Sequence, residues 1–536
     1  MGRKILFVTT DQQRYDALGC NGNTIARTPV IDALAADGIV YRTAYNQNTV
    51  CMPARSTMLT GQYVRTHGVV ANGIPLPEDA PSIARHLSER AGYKTALVGK
   101  AHFDPLFDLG GRFSETRRAD AGDTGPWRGF DYSIQALHTA AVVGTDREGN
   151  KRVRPLSHYG RWLAAEHPEH LESFASLLTG ERGGDTGAPE SKDNPIPREW
   201  YHTDWVADLT VAWLDSLAPD DDWFCWMSFP DPHHPWDPPA SEMYRVPWRD
   251  LDLPPGHPGS RRQIEEILSH KPRHWLGYFD GSFENREGGA IDLVPARLTH
   301  DQIREVNART HVMNELVDEA LGRVLKRIAE RGWAGDTDVI YTTDHGELQG
   351  DFGLLFKGPF HTDALMHIPL VWRPAPRLGL RPAEIVEPVG QLDLAPTFCE
   401  IAGVPVPGFV EGEPLPTAPG SPREQVLCEW DSQFPGFGMH MRSIRRDRYL
   451  CTAYEPSTVG RPTGLEERFG EWALRSCGVE YGGDEGELYD VVEDPLQWRN
   501  LWDEPACRSL RDDLVQAIRE GLPAGRAEPL KVESPA

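Results

Sequence analysis

The 536-residue chain contains no run of about 18 or more consecutive apolar residues, the length a membrane span requires, and it is read as a soluble protein. Its eight cysteines (Cys20, Cys51, Cys225, Cys399, Cys428, Cys451, Cys477 and Cys507) have no C-x-x-C spacing. That excludes a zinc knuckle and a disulfide scaffold and leaves most of them as expected buried thiols. Positive charge is scarce: 55 Lys and Arg stand against 80 Asp and Glu, a formal net charge of -25. Repulsion on that scale argues against nucleic acid or an anionic membrane as a partner, so attraction for an anionic substrate must be local. No internal repeat is present. The opening "MGRKILFVTTDQQ" has too short an apolar run for an export signal and reads as a first strand, so the expected location is the cytoplasm.

What the chain does have is a series of β-branched or aromatic runs that end in polar residues: "KILFVTTDQ", "KTALVGKAHF", "DWFCWMSFPDPHHP", "TDVIYTTDHG" and "MHIPLVWR". Helical patterns lie between them. This alternation predicts an α/β fold, a large mixed, mostly parallel sheet sandwiched by helices. The clearest helix is expected over 299–331, where Ile303, Val306, Met313, Leu316, Val317, Leu321, Val324, Leu325 and Ile328 recur near a 3.6 period and Gly332 is the stop. Segments 104–200 and 240–295 have weak periodicity and read as long excursions over the sheet edge. A Pro-rich joint at 402–424 divides a catalytic unit, 1–415, from a subdomain, 423–536. In the latter, "QVLCEW", "MHMRSIRRDRYLCTAY" and "ELYDVV" predict a small antiparallel sheet, and 508–520 a closing helix.

Ligands of open parallel sheets bind beyond the carboxyl ends of the strands. Asp11 and Gln12 end the first run, Lys100 and His102 the second, His233 and His234 the third, Asp344 and His345 the fourth, so one pocket is expected to collect all four. The stretch "NTVCMPARSTMLTG" adds Cys51. Pro53 suits the first turn of a helix, which puts Cys51 at its N-terminus, where unpaired N–H groups bind tetrahedral anions, with Arg55 one turn on along the same face. The dipole and the arginine predict a lowered thiol pKa and a nucleophile; a buried structural cysteine is the alternative.

Cys51, Pro53, Arg55, Thr60 and Gly61 form a C-x-P-x-R…T-G pattern that resembles the signature of the type I, formylglycine-dependent sulfatases of the alkaline phosphatase superfamily. Asp11-Gln12, Gly99-Lys100-x-His102, Pro232-His233, Asp344-His345-Gly346 and Lys357 occur in that family's order, and "GELYDVVEDPLQWRNL" resembles its C-terminal subdomain. The resemblance implies a sulfuric ester hydrolase whose Cys51 is oxidised to formylglycine by a formylglycine-generating enzyme. Of the two hydroxyls of the hydrated aldehyde, one attacks sulfur and expels the alcohol, and deprotonation of the other releases sulfate; a thiol cannot complete that second half.

The resemblance further implies one divalent metal held by Asp11, Gln12, Asp344, His345 and an oxygen of the modified Cys51. Calcium is the first expectation. Gln12 and His345 depart from the Asp and Asn of many sulfatases, which makes manganese the alternative and leaves zinc open. Lys100 and Lys357 would hold sulfate oxygens, Arg55 would add to the positive field, and His102 would assist deprotonation of the diol. His233, ahead of the adjacent His234, would be the general acid. Asn72 would donate to the substrate or serve a turn. His361 and His367 are expected to be ordinary loop residues, and Trp127, Trp236, Trp275 and Tyr278 to be packed.

The expected substrate is a small sulfate ester of an aryl, choline-type or sugar alcohol. One rival is a phosphonate monoester or phosphodiester hydrolase of the same superfamily, similar in its Asp-Gln and Asp-His pairs and Asn72 but lacking the Lys and His of G-K-x-H. Another is a non-catalytic binding protein, which would have no use for the whole reactive set. A homo-oligomer is left open.

Overall fold

A computed structural model describes residues 2–106, 108, 110–145, 151–179, 184–285, 293–434, 436–460 and 479–534; Cys477 lies outside them. The main sheet has eight strands in the spatial order β11 (Ala383–Ile385), β2 (Ile39–Tyr41), β10 (Leu370–Arg373), β9 (Thr337–Thr343), β1 (Lys4–Thr10), β8 (Trp223–Ser228), β4 (Lys94–Gly99) and β5 (Tyr132–Ile134). From β9 to β5 all neighbours are parallel, β10 is antiparallel to β9 and β2, and β11 is parallel to β2. Two short pairs lie apart, β3 (Ala44–Tyr45) with β12 (Val389–Gly390) and β6 (Ala141–Thr145) with β7 (Lys151–Pro155).

Both faces of the sheet are covered, which is why its central strands are apolar along their whole length. On β1, Ile5 and Phe7 face a layer with Phe224, Trp226 and Phe398, where Phe7 lies 5.1 Å from Trp226 and 5.0 Å from Phe398, centroid to centroid. Leu6 and Val8 face the opposite layer with Cys225, Met227, Leu321 and Val324. Helices Cys51–Thr60, Ile83–Ala91 and Leu394–Ala402 close the first face; His202–Ser216 and His300–Glu330 close the second. The last of these matches its periodicity, and Thr299 caps it in a capping box with Gln302.

A four-stranded antiparallel sheet completes the chain: β13 (Gln425–Asp431), β14 (His440–Arg446), β15 (Tyr449–Glu455) and β16 (Gly486–Asp490). Helix Arg508–Gly521 packs Leu514, Ala517 and Ile518 against Leu427, Ile444, Cys451 and Leu488 of this sheet. Among the described residues no helix is long and apolar enough to cross a membrane.

The two excursions hold more structure than their sequence shows. The first contains helices Ser114–Ala121, Ser157–Glu166 and Pro168–Thr179 and the β6–β7 hairpin; the second contains Arg261–Ser269 and Arg273–Asp280. These helices are only 8 to 12 residues long, so an apolar period has too few turns in which to declare itself.

Gly99, at the end of β4, has φ 108°, and a Cβ there would lie 1.8 Å from the Ser228 carbonyl oxygen of β8. Gly99→Ala must part these strands beneath Lys100. It is expected to destabilise the protein by about 1–3 kcal/mol in denaturant unfolding; an unchanged midpoint would contradict so close an approach.

Candidate active site

The carboxyl ends of β1, β4, β8 and β9 meet, and backbone groups tie them together. Asp11 N–H donates to Asp231 O (3.1 Å) and Lys100 N–H to Ser228 O (2.8 Å). Gln12 N–H donates to Asp344 Oδ1 at 3.0 Å. Cys51, the first residue of helix Cys51–Thr60, points into this junction and is 1% exposed. Its Sγ lies 2.8 Å from Lys357 Nζ, 3.1 Å from His345 Nε2, 3.7 Å from Asp11 Oδ1 and 4.0 Å from Lys100 Nζ. Asn72 Oδ1 accepts from Met52 N–H at 3.1 Å, satisfying one of the orphan donors of the helix's first turn. The loop before Cys51 is sewn to β13, where Gln47 Nε2 donates to Leu427 O (3.2 Å) and Asn48 Nδ2 to Glu429 O (2.8 Å); just past that strand Gln433 Nε2 donates to Asn72 O (3.4 Å).

Arg55 is fully buried and spends its guanidinium on the strand ends. Nε donates to Asp344 Oδ2 (2.9 Å), Nη1 to Lys100 O and Ser228 Oγ (both 2.9 Å), and Nη2 to Asp11 Oδ2 (3.4 Å). Lys100 also pairs with Asp11 Oδ2. Burial alone would raise the Asp11 pKa, but Lys100, Lys357 and Arg55 together hold it well below the usual carboxylate range. The thiol behaves otherwise. Burial, then Asp11, push Cys51 up to about 11 against the pull of the two lysines. This corrects the expectation of a lowered thiol pKa, because burial and the Asp11 carboxylate outweigh the positive charge around the sulfur.

The donor set fits a cation. His345 Nδ1 faces the Gly346 carbonyl at 2.9 Å and is therefore the protonated nitrogen, leaving a lone pair on Nε2. That nitrogen lies 3.8 Å from Asp11 Oδ1 and 3.7 Å from Asp344 Oδ1. Burial holds the His345 pKa down at about 4, so near neutral pH no proton on Nε2 separates these acceptors. The ligand atoms of Asp11, Cys51, Asp344 and His345 all lie within 4.8 Å of one another. Gln12, in the left-handed region at φ 64°, accepts at Oε1 from Lys357 Nζ (2.9 Å) and donates from Nε2 to Glu347 and to His234 Nδ1 (3.2 Å).

His233 also joins the site: its Nε2 lies 2.9 Å from Lys357 Nζ and its Nδ1 is bonded to the His234 carbonyl. Burial, then His234 and Lys357, hold its pKa well below the ordinary histidine value, so before substrate binds the ring is neutral and Lys357 donates to it. His102, at φ 58°, is buried with Nδ1 lacking a hydrogen-bond partner among the described residues, and burial followed by Lys100 depresses its pKa too. His361 bonds Ser443 Oγ at 2.5 Å, and His367 stacks 3.7 Å from Tyr15, so both serve other contacts. Trp127, Trp236, Trp275 and Tyr278 are packed in the interior.

Sequence reasoning missed Ser228 and Glu347, which hold Arg55 and Gln12, as well as Asp231 and His138. Glu347 had a signal, an acidic residue directly after Asp344-His345-Gly346. His138 comes after β5, a three-residue strand too short to stand out by period.

Removing the guanidinium leaves two buried carboxylates without their bridge. Arg55→Ala is expected to destabilise the protein by about 3–5 kcal/mol in denaturant unfolding. Asp231 supplies a pH test. It accepts from Tyr201 Oη at 2.9 Å and from Thr203, yet burial raises its pKa from 3.8 to about 7. Its contribution to stability is full below 3.8 and is lost as pH rises through about 7. The stability difference between wild type and Asp231→Asn should therefore shift in favour of the variant across that window; a pH-independent difference would refute it.

A family model described as sulfatase matches residues 3–404. The arylsulfatase of Clostridium perfringens is 26% identical over 416 residues, 77% of each chain. The multifunctional alkaline phosphatase superfamily protein PehA of Trinickia caryophylli is 24% identical over 532 residues, 96% of this chain and 94% of that one. The crystal structure of the phosphonate monoester hydrolase of Agrobacterium radiobacter shares the fold, with a TM-score of 0.70 at 22% identity over 97% of this chain and 96% of that one. With the family model covering most of its length, the chain belongs to the sulfatase family and is a sulfuric ester hydrolase.

Proposed function

We propose that this enzyme hydrolyses sulfate esters of a small, aryl or sugar alcohol, with Cys51 matured to formylglycine and one divalent cation held by Asp11, Gln12, Asp344, His345 and residue 51. Calcium is the proposed ion, with manganese the alternative on account of His345. The observation that carries the reading is the convergence on Cys51 Sγ of Lys357 at 2.8 Å, His345 at 3.1 Å and Lys100 at 4.0 Å. When bound, the cation supplies Lewis acidity to the nucleophile and to the sulfate oxygens.

The remaining work falls to protein groups. Lys100 and Lys357 bind sulfate oxygens in a dry pocket and oppose the charge that builds on them. Asn72 fixes the helix end that presents residue 51. His233 stands next to Lys357, and an arriving sulfate raises its proton affinity, so that Nε2 takes a proton from solvent as substrate binds and hands it to the departing alcohol. On this reading His102 accepts the proton whose loss frees sulfate. Phosphonate monoester or phosphodiester hydrolysis is the second reading, favoured by the Asp-Gln and Asp-His pairs and opposed by Lys100 and His102.

Mass spectrometry of the peptide containing residue 51, from protein made in its native host, should show the aldehyde mass; a thiol there would end the formylglycine reading. On a panel of 4-nitrophenyl sulfate and phosphonate monoesters, kcat/KM for the sulfate is expected to be higher by about tenfold or more. Cys51→Ala should lower it by about a thousandfold or more. A phosphonate preference would move the assignment to the second reading.

A further inference from the structure

Beyond the four strand ends, β5 at the sheet edge brings a fifth histidine to the site. The segment after it is fixed at both ends: Ala136 N–H donates to Gly99 O (3.2 Å), beside Lys100, and Leu156 N–H to Ala140 O (2.8 Å). Between these anchors stands His138, 8% exposed. Its ring stacks on His233 at 4.3 Å with an interplanar angle of 22° and lies 6.3 Å from His234. Its Nδ1 is buried and has no hydrogen-bond partner among the described residues.

An unsatisfied buried nitrogen costs about 1–3 kcal/mol, and folds retain such atoms where a ligand supplies the missing bond. The ring stack alone does not account for it, because an apolar ring would stack there without that penalty. The order of groups indicates which part of a substrate it meets. From Cys51 Sγ the path runs to Lys357 Nζ (2.8 Å), then to His233 Nε2 (2.9 Å), then across the stack to His138. The sulfate end of an ester is taken by residue 51 and the lysines, and His233 sits at the departing oxygen. On that reading His138, stacked on the far side of His233, is the next group along this path and falls to the alcohol half. His233 Nε2 is committed, on the same reading, to Lys357 and the departing oxygen and Nδ1 to the His234 carbonyl, so neither nitrogen is left for the rest of the alcohol.

We propose that His138 is a specificity-determining residue that hydrogen-bonds a hydroxyl of the alcohol half of the ester, so that the preferred substrates are sulfates of hydroxyl-bearing alcohols, sugars above all, rather than of plain phenols. The proposal rests on the sulfate-ester reading above. A neutral imidazole both donates and accepts, which suits a hydroxyl partner.

The test measures binding by calorimetry in the Cys51→Ala protein, which cannot turn substrate over, with a monosaccharide 6-sulfate, 4-nitrophenyl sulfate and inorganic sulfate as probes. His138→Phe, which keeps a ring to stack on His233, is expected to weaken the sugar sulfate by about tenfold or more while the other two stay within about threefold. His138→Gln, with a hydrogen-bonding group but no ring, is expected to bind the sugar sulfate more tightly than His138→Phe. Equal losses for all three probes, no loss for the sugar sulfate, the reverse order of the two variants, or no sugar sulfate binding with His138 in place would each overturn the proposal. Turnover of 4-nitrophenyl sulfate by protein with its native residue 51 is scored separately: its absence removes the sulfate-ester reading and this proposal with it, whereas turnover combined with a failed binding contrast removes only the role of His138.

Discussion

The bridge made by Arg55 is the constraint on which the site depends. Two strands, β1 and β9, end in carboxylates that have no access to water, and isolated buried charges of that kind are among the most unfavourable a fold can contain. One guanidinium reaches both carboxylates and also the Lys100 carbonyl and Ser228 hydroxyl, so it fixes the spacing of β1, β4, β8 and β9 where the chemistry must happen. With Lys100 and Lys357 it gives the pocket three buried cations against Asp11 and Asp344. A protein of net charge -25 thereby presents an anion with a short-range positive field inside a long-range negative one.

The same rigidity supports unfavourable backbone. Gln12 (φ 64°), His102 (φ 58°) and Phe356 (φ 73°), which precedes Lys357, all occupy the left-handed region. Such residues cost on the order of 1–3 kcal/mol each and persist only where their surroundings overdetermine them. Each sits where a strand or loop must turn sharply to aim the next functional side chain. Lys357 then acts as a hub, touching Cys51, Gln12 and His233 at once, so these three side chains are coupled through one ammonium.

Much of this was legible in the sequence because parallel strands buried on both faces leave unmistakable apolar runs, and the residues just past the end of each run meet at the junction of β1, β4, β8 and β9. Asp11, Lys100, His233 and Asp344 were found in that way. His138 was not, since β5 is three residues long and its place is set by a backbone bond to Gly99 that no periodicity encodes. The thiol pKa was misjudged for a related reason. Sequence order gives the spacing of Arg55 from Cys51 but not the direction in which a side chain turns, and here the arginine turns to the carboxylates while burial governs the sulfur. The small helices of the two excursions escaped because eight to twelve residues carry too few turns.

The stitching of Gln47 and Asn48 to β13, and of Gln433 to Asn72, has a temporal meaning. Residues near the start of the chain are locked by strands that leave the ribosome only after more than 400 others, and once those strands dock, Cys51 is 1% exposed. On the proposed route, a maturation enzyme has to reach that sulfur while the polypeptide is still being extended or has yet to collapse. Folding speed and oxidation then compete, and a chain that closes first is trapped with an inert thiol at its centre.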